Sequence, residues 1–261
     1  MAEHFHVIRL LGRGSFGEVV EARDLRTGAF VAIKVEPRDA RDPQLLYEYR
    51  IMTAMAGEEG FPRALWFGFD SSQNMLVMQR LNQSLDALRQ RRSGATMPLE
   101  YLAGVAVHGL QRLRAFHGRG FVHRDLKPDN FMVSHGLLYL IDFGLSKRVL
   151  DPDTGVHIPF RSGKALTGTP RFASTHAQAG DEQSRRDDLE AFAYTLVYLA
   201  KGRLAWQGLP AEEAARVKRD ARPEGVASGL PAGYAGLLRH ARGLGFGEVP
   251  NYVQCSSGTW V

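Results

Sequence analysis

The spacing of apolar and polar positions predicts mostly strands in the first third of the chain. Four segments alternate or form short β-rich runs, at residues 18–23, 30–35, 64–69 and 74–79. Between the second and third of them, residues 44–56 show helical spacing, with Leu45, Met52 and Met55 on one face. A helix among strands is therefore expected in this part of the chain.

Helical spacing dominates the remainder. Residues 99–119 carry apolar side chains at 99, 102, 106, 110, 113 and 116, which predicts a helix with one buried face. A second helix is predicted over residues 185–201, with Leu189, Phe192, Ala193, Leu196, Val197 and Ala200 inward. Between the two helices, the apolar run at residues 136–141 predicts a strand whose end presents Asp142.

Composition sets broad limits. A chain of 261 residues with 44% apolar side chains can bury the core of one large domain or of two lobes. It has no apolar run long enough to span a bilayer, and its N-terminus does not resemble a secretion signal. The single cysteine, Cys255, excludes an intrachain disulfide and argues against zinc. We expect a cytoplasmic location, with the nucleus as an alternative.

The net charge of +5 is concentrated at residues 89–92, 185–186 and 216–222. Such runs commonly solvate a surface, and the alternative is attraction to phosphorylated or acidic partners. Nucleic acid is not expected as a partner, because no basic motif is interleaved with aromatic residues.

The chemistry-bearing side chains lie in and after residues 121–130. Asp125 is followed by Asn130 and later by Asp142, and Lys127 stands two residues after the first carboxylate. Phosphoryl transfer to a hydroxyl needs a group that orients the hydroxyl, oxygen ligands for magnesium, and a cation near the phosphate. The alternative is a buried turn with an Asp cap and a glycine hairpin.

The sequence Phe-Val-His-Arg-Asp-Leu-Lys-Pro-Asp-Asn at residues 121–130, followed by Asp-Phe-Gly at 142–144, resembles the eukaryotic protein kinases. Lys127 matches the serine/threonine branch. The resemblance implies a bilobal α+β fold, in which residues 1–81 form a β-rich lobe and residues 82–252 a helical lobe of one kinase domain. It also implies ATP and Mg²⁺, with Asp125 as the proton acceptor and Asn130 and Asp142 as metal ligands.

Residues 10–20 read as a strand, a glycine-rich turn and a second strand. Without Cβ atoms at three of these positions, backbone amides can approach phosphates. Dinucleotide-binding folds share this glycine pattern but continue into a helix, whereas residues 18–23 alternate like a strand. By resemblance, Lys34 grips the α- and β-phosphates and pairs with Glu48, for which a plain surface position is the alternative. The expected nucleotide-binding residues are Leu11, Gly12, Gly14, Ser15, Phe16, Gly17, Val19, Ala32, Lys34, Met78, Gln79 and Leu81.

Residues 157–161, 164–174, 182–190 and 206–208 resemble the casein kinase I family of serine/threonine kinases. That resemblance implies a monomer that phosphorylates proteins near acidic or phosphorylated residues, without activating phosphorylation. Two anion sites are expected, comprising Arg171, Gln207, Gly208 and Lys218 in one and Arg124, Lys147 and Lys164 in the other. Asp188 is expected to cap its helix and to bond the backbone of the catalytic loop.

Residues 253–261 depart from the family, whose members continue into a last amphipathic helix. Helical periodicity is absent there, so we expect an atypical, truncated tail and reduced stability. A catalytically impaired scaffold that binds partners is the alternative function. Phosphotransfer to a small molecule is a third candidate, disfavoured by the peptide-binding segment.

Overall fold

The computed structural model describes residues 4–14 and 17–257, so the expectations for Ser15 and Phe16 and for the last four residues lie outside the described part. The chain divides into two compact units. One comprises Met1–Asn82 with Met132–Gly144, and the other comprises Gln83–Phe131 with Leu145–Val261. We call them the sheet unit and the helical unit. The proposed division into residues 1–81, 82–252 and 253–261 stays a prediction.

The sheet unit is built on a five-stranded antiparallel sheet in the order β1-β2-β3-β5-β4. Its strands are β1 Phe5–Gly14, β2 Gly17–Asp24, β3 Phe30–Pro37, β4 Ala64–Phe69 and β5 Gln73–Gln79. The predicted strands are therefore present. Two further strands, β8 Phe131–Ser134 and β9 Leu137–Leu140, lead to the Asp-Phe-Gly segment.

One helix, α1 Leu45–Ala54, packs on this sheet against β3, β4 and β5. Its predicted inward residues Leu45, Met52 and Met55 are all buried. Next to them, Tyr49 stacks on Phe67 of β4 with ring centroids 5.4 Å apart. Burial of this apolar face, rather than helix propensity alone, stabilises so short a helix. A separate cluster in the sheet comprises Phe5, Ala22, Val31, Ile33, Val35, Met75 and Val77.

The helical unit contains the remaining helices of the described chain. They are α2 Leu85–Gln90, α3 Leu99–Gly118, α4 Thr175–Gln178, α5 Arg185–Lys201, α6 Ala211–Asp220, α7 Pro223–Val226, α8 Ala232–Gly243 and α9 Tyr252–Ser257. Short strands and 3₁₀ turns complete it, at β6 Gln83–Ser84, Ser93–Ala95, β7 Phe121–Val122, Pro128–Asn130 and β10 Lys147–Arg148. The strand and helix contents of the two units confirm the predicted α+β class.

Helix α5 forms the centre of the helical unit and is buried on every side from Arg185 to Leu199. A helix buried all round must pack against neighbours along its whole circumference. It packs against α3 and α8. At the contact with α3, a Cβ added to Gly109 would lie 2.2 Å from the Phe192 ring, so glycine permits the close approach. Leu99, expected on the buried face of α3, is instead 39% exposed at the first turn of that helix.

The prediction that helical structure is absent after residue 252 is wrong. Helix α9 spans Tyr252–Ser257 and packs against α3 and α8. Tyr252 and Cys255 are buried, while Val253 remains exposed. The helix is too short to display a periodic pattern, and its formation follows from the burial of these two side chains against α3 and α8.

Candidate active site

The sheet unit brings together one lysine and two carboxylates that the sequence singled out. The Lys34 ammonium donates to Glu48 Oε2 at 2.6 Å and to Asp142 Oδ1 at 2.8 Å. Lys34 comes from β3, Glu48 from the first turn of α1, and Asp142 from the segment after β9. The structure thus places Lys34 beside Glu48, as the expected pairing requires.

This ionic cluster keeps its lysine charged. Burial disfavours the ammonium form of Lys34, but the charges of Glu48 and Asp142 outweigh it and raise its pKa above the ordinary value. Burial likewise raises the pKa of the Glu48 carboxyl group, against the opposing effect of Lys34. Lys34 is therefore a permanent cation that can receive phosphate oxygens.

Asp142 and Phe143 have a special backbone arrangement. Asp142 adopts a positive φ of 65°, a conformation that most residues avoid. The next residue, Phe143, is fully buried and stacks on Phe61 at 6.1 Å between ring centroids, while its amide donates to Glu48 Oε1 at 3.3 Å. These contacts hold the strained turn that directs the Asp142 carboxylate toward Lys34.

A further carboxylate, Glu36, positions α1. It lies two residues after Lys34 on β3 and is only 2% exposed. Its Oε1 accepts hydrogen bonds from the amides of Gln44 at 2.6 Å and Leu45 at 3.3 Å, and its Oε2 accepts one from Asn74 Nδ2 at 3.3 Å. Because α1 has no cap from its own Gln44 side chain, Glu36 supplies the cap from the neighbouring strand.

The glycine-rich segment forms the expected hairpin, in which Gly14 pairs with Gly17. An added Cβ at Gly12 would meet no atom within 4 Å, so that position is open. At Gly17, whose φ is 137°, an added Cβ would lie 1.9 Å from the backbone oxygen of Val35. Gly17 is therefore required for packing the hairpin on β3, independently of any ligand.

The remaining nucleotide-binding candidates lie on strands of the sheet unit, except Leu81, which follows β5. Val19 pairs with Lys34, and Ala32 pairs with Met78. Ala32 and Leu81 are buried, Val19, Met78 and Gln79 are half-buried, and Leu11 is exposed. Gln79 pairs with Val31, and its amide donates to Arg63 O. Their roles toward the base stay predictions.

In the helical unit, the Asp125 carboxylate is 7% exposed and accepts hydrogen bonds on both oxygens. Its Oδ2 accepts from Lys127 Nζ at 2.7 Å. Its Oδ1 accepts from the amide and the hydroxyl of Thr169, both at 2.7 Å. The Thr169 hydroxyl also accepts from Lys127 Nζ at 3.1 Å. Thr169 was not singled out from the sequence, although it lies in the stretch 164–174 that carried the family resemblance.

The backbone before Asp125 is held by Asp188. Its carboxylate accepts hydrogen bonds from the amides of His123 at 2.7 Å and Arg124 at 2.9 Å. The expected bond from Asp188 to the catalytic loop is thus present. Its expected role as the cap of α5 is wrong, because Asp187 supplies that carboxylate and accepts from the Ser184 amide at 2.7 Å.

The two predicted metal ligands offer the oxygen donors that Mg²⁺ prefers. Asn130 donates its amide NH₂ to the carbonyl of Asp125 at 2.8 Å, which fixes the orientation of its side-chain oxygen. Asp142 offers a carboxylate. Among residues 4–14 and 17–257, no group of three His, Cys, Asp or Glu side chains is placed to hold a metal. A magnesium ion that keeps phosphate and water ligands needs only one or two protein oxygens, so the donor set fits.

One predicted anion cluster surrounds a carboxylate of the chain itself. Glu182, which is buried, forms an ion pair with Lys147 at 2.8 Å and a longer one with Lys164 at 3.7 Å. Burial opposes ionisation of Glu182, but Lys147, Lys164 and Arg124 together lower its pKa. The three cations are therefore brought together, with part of their charge already neutralised.

The other predicted anion cluster is not assembled as expected. The Lys218 ammonium is 0% exposed and donates to the carbonyls of Pro170 at 2.9 Å and Ala173 at 2.7 Å. It therefore turns inward, away from any external anion. Arg171 is exposed, and its guanidinium donates to Tyr198 Oη at 3.5 Å.

The two other members of that cluster lie just after Trp206, whose indole nitrogen donates to Arg171 O at 2.8 Å. Gln207 is half-buried and Gly208 is exposed, with a φ of 87°. The indole contact places this turn near the backbone of Arg171. An anion-binding role for these two residues stays a prediction.

Comparison with known protein families matches residues 5–225 to the family described as Protein kinase domain. The match covers both the ionic cluster of the sheet unit and the Asp125 loop of the helical unit. Across the part of the chain that the structure describes, no helix is long and apolar enough to cross a membrane.

Proposed function

Because this chain belongs to the protein kinase domain family, we propose that it is a serine/threonine protein kinase of the casein kinase I type. It transfers the γ-phosphoryl group of ATP to serine or threonine hydroxyls near acidic or phosphorylated residues of proteins. The observation that carries the proposal is the Asp125 carboxylate, bonded to both Lys127 and Thr169.

Asp125 orients the substrate hydroxyl and accepts its proton. As the hydroxyl oxygen forms its bond to phosphorus, the bond from phosphorus to the bridging oxygen breaks and ADP leaves. Lys127, at 2.7 Å from Asp125, supplies a positive charge beside the transferred group. Thr169 keeps the carboxylate in one orientation.

Lys34 binds the α- and β-phosphates, and Glu48 keeps the lysine side chain in place. Asn130 and Asp142 supply the side-chain oxygens that would hold Mg²⁺. Bound magnesium would neutralise the negative charge that develops on the phosphates. The glycine hairpin supplies backbone amides for the same phosphates.

For substrate preference, we assign the cluster of Arg124, Lys147 and Lys164 to the acidic or phosphorylated residue of the substrate. A phosphate carries more charge and more acceptor oxygens than a carboxylate, so it can compete with Glu182 for these cations. Arg171 is the exposed cation of the second cluster. Lys218 has no part in this proposal, because its ammonium is enclosed by carbonyl groups.

The catalytic proposal is tested with purified full-length protein, Mg-ATP and serine peptides in an acidic context. We expect Asp125→Asn to lower kcat by about 100-fold or more, since the side chain can no longer accept a proton. Binding of a fluorescent ATP analogue should be unchanged. Wild-type protein that phosphorylates only tyrosine peptides or sugar alcohols would contradict the proposed specificity.

The preference for acidic or phosphorylated substrates is tested with paired peptides that differ by one phosphoserine upstream of the target. Lys164→Ala should raise KM about tenfold for the phosphorylated peptide, as expected for loss of one charge-assisted hydrogen bond, and much less for the other peptide. Arg219→Ala, which removes a cation exposed on α6, is the matched control. Equal losses on both peptides would exclude the assigned anion site.

A further inference from the structure

Buried hydrogen bonds connect the C-terminal helix α9 to the catalytic loop within the helical unit. Tyr252 of α9 bonds through its hydroxyl to Nδ1 of His117 on α3. The other ring nitrogen of His117 bonds to Asp188 Oδ2 at 2.8 Å. Asp188 in turn accepts hydrogen bonds from the amides of His123 and Arg124. The path therefore runs from α9 to the backbone next to Asp125.

The direction of each hydrogen bond follows from the chemistry of the groups. An ionised carboxylate only accepts, so Nε2 of a neutral His117 ring carries the proton and donates it to Asp188. Nδ1 then holds a lone pair and accepts from the Tyr252 hydroxyl. His117 is 2% exposed, so water cannot easily replace either partner.

The ionised state of Asp188 is supported by its surroundings. Burial opposes its charge, but hydrogen bonds from the His117 ring and from the His123 amide favour the ionised form, and its pKa is lowered. The carboxylate holds two successive amides of a strained turn, in which Arg124 has a φ of 68°. A small rotation of Asp188 would therefore move the backbone that places Asp125.

We propose that Tyr252 is a positioning residue for phosphotransfer: its hydroxyl fixes the His117 ring, and that ring holds Asp188 against the backbone preceding Asp125. The inference rests on the proposed role of Asp125 in phosphoryl transfer. It assigns to α9 a part in catalysis that its sequence, without a recognisable motif, did not indicate.

Removing only the hydroxyl separates this role from packing. The rings of Tyr252 and His117 lie 5.9 Å apart between centroids, and phenylalanine retains that contact. In Tyr252→Phe, Nδ1 of His117 loses its donor in a buried site. We expect kcat to fall about five- to tenfold, with KM for ATP within about twofold, because the phosphate-binding lysine belongs to the sheet unit. Tyr234→Phe, with a half-buried phenol on α8, is the matched control and should keep wild-type kcat.

Two substitutions of His117 test the order of the bonds. In His117→Gln, the amide nitrogen can take the place of Nε2 and still donate to Asp188. In His117→Asn, the shorter amide can reach only the position of Nδ1, so the hydrogen bond to Asp188 is lost. The proposal requires kcat to be higher in His117→Gln than in His117→Asn. The reverse order would overturn it, whereas a purely space-filling histidine gives no such order.

Amide hydrogen exchange supplies a readout that does not depend on activity. In Tyr252→Phe, the amides of His123 and Arg124 should exchange about tenfold faster than in wild type, with exchange in β3 unchanged. Unchanged exchange there, together with wild-type kcat, would overturn the inference. A wild-type protein that transfers no phosphate would refute the proposed function, and the exchange of the two amides would still decide whether Tyr252 positions the loop.

Discussion

At the scale of single residues, Lys34 and Lys218 are both buried lysines whose surroundings shift their pKa values in opposite directions. Lys34 faces two carboxylates, which overcome the effect of burial and raise its pKa. Burial lowers the pKa of Lys218 to about 7, with Arg242 adding to this effect and Glu190 opposing it. Neighbouring carboxylates therefore decide which of the two lysines carries a full charge near neutral pH.

Lys218 makes folding stability depend on pH. Its pKa of about 7 in the folded state lies below the ordinary value of 10.5, so between these values the unfolded chain binds more protons. Stability from this group must then rise with pH across that window, and below about pH 7 the folded state bears the cost of a charged, buried lysine. We expect Lys218→Met to be less destabilising at pH 6 than at pH 9, as measured by chemical unfolding at both values.

The methionine loses the bonds to Pro170 and Ala173 at every pH, so only the difference between the two pH values reports the ionisation of Lys218. Lys201→Met is the matched control, because that lysine also donates to backbone carbonyls but is exposed. A destabilisation by Lys218→Met that is equal at pH 6 and pH 9 would exclude the ionisation.

At the scale of secondary-structure elements, helix α1 is held by the strand beside it. Lys34 on β3 donates a hydrogen bond to Glu48 within the helix. Glu36, also on β3, accepts hydrogen bonds from the amides at the start of the helix. A carboxylate at this end also interacts favourably with the helix dipole. The two contacts fix both the start of α1 and the rotation that directs Glu48 inward.

We therefore expect Glu36→Ala to weaken nucleotide binding, since alanine offers no acceptor to the amides of Gln44 and Leu45. The expected increase is about three- to tenfold in the Kd of a fluorescent ATP analogue, in line with the cost of losing a helix cap. Exchange of amides at residues 44–48 should also accelerate.

Asn74→Ala is the control for this experiment. It removes one donor to Glu36 but leaves both backbone caps in place, so nucleotide binding should change by less than about twofold. If Glu36→Ala bound nucleotide as tightly as wild type, the cap would have no role in holding Glu48.

At the scale of the whole molecule, the parts that could be predicted are those encoded by local pattern. Alternation and helical spacing predicted the strands β1 to β5 and β9, but not β8, and the helices α1, α3 and α5, whose buried residues recur at a regular spacing within one segment. The Asp125 loop and the Asp-Phe-Gly segment were recognisable because their residues occur in compact motifs.

Contacts between residues distant in the sequence could not be predicted in this way. Glu182 neutralises lysines 18 and 35 positions away, as the residue numbers of its partners Lys164 and Lys147 show. Thr169 reaches Asp125 across 44 positions, and Tyr252 reaches His117 across 135. No periodic pattern of residues within one segment of the sequence indicates such pairs. The inward turn of Lys218 was missed for a related reason, since a basic cluster in sequence does not show which cation finds carbonyl partners.

Gly17 and Gly109 differ in whether a second substitution could restore what the first one disturbs. At Gly109 the obstacle to a larger residue is the Phe192 side chain, so a smaller side chain at 192 would make room for it. At Gly17 the obstacle is the peptide oxygen of Val35, which every amino acid carries. Gly109 can therefore be replaced during evolution if residue 192 changes with it, whereas no single second substitution would make room for a side chain at Gly17.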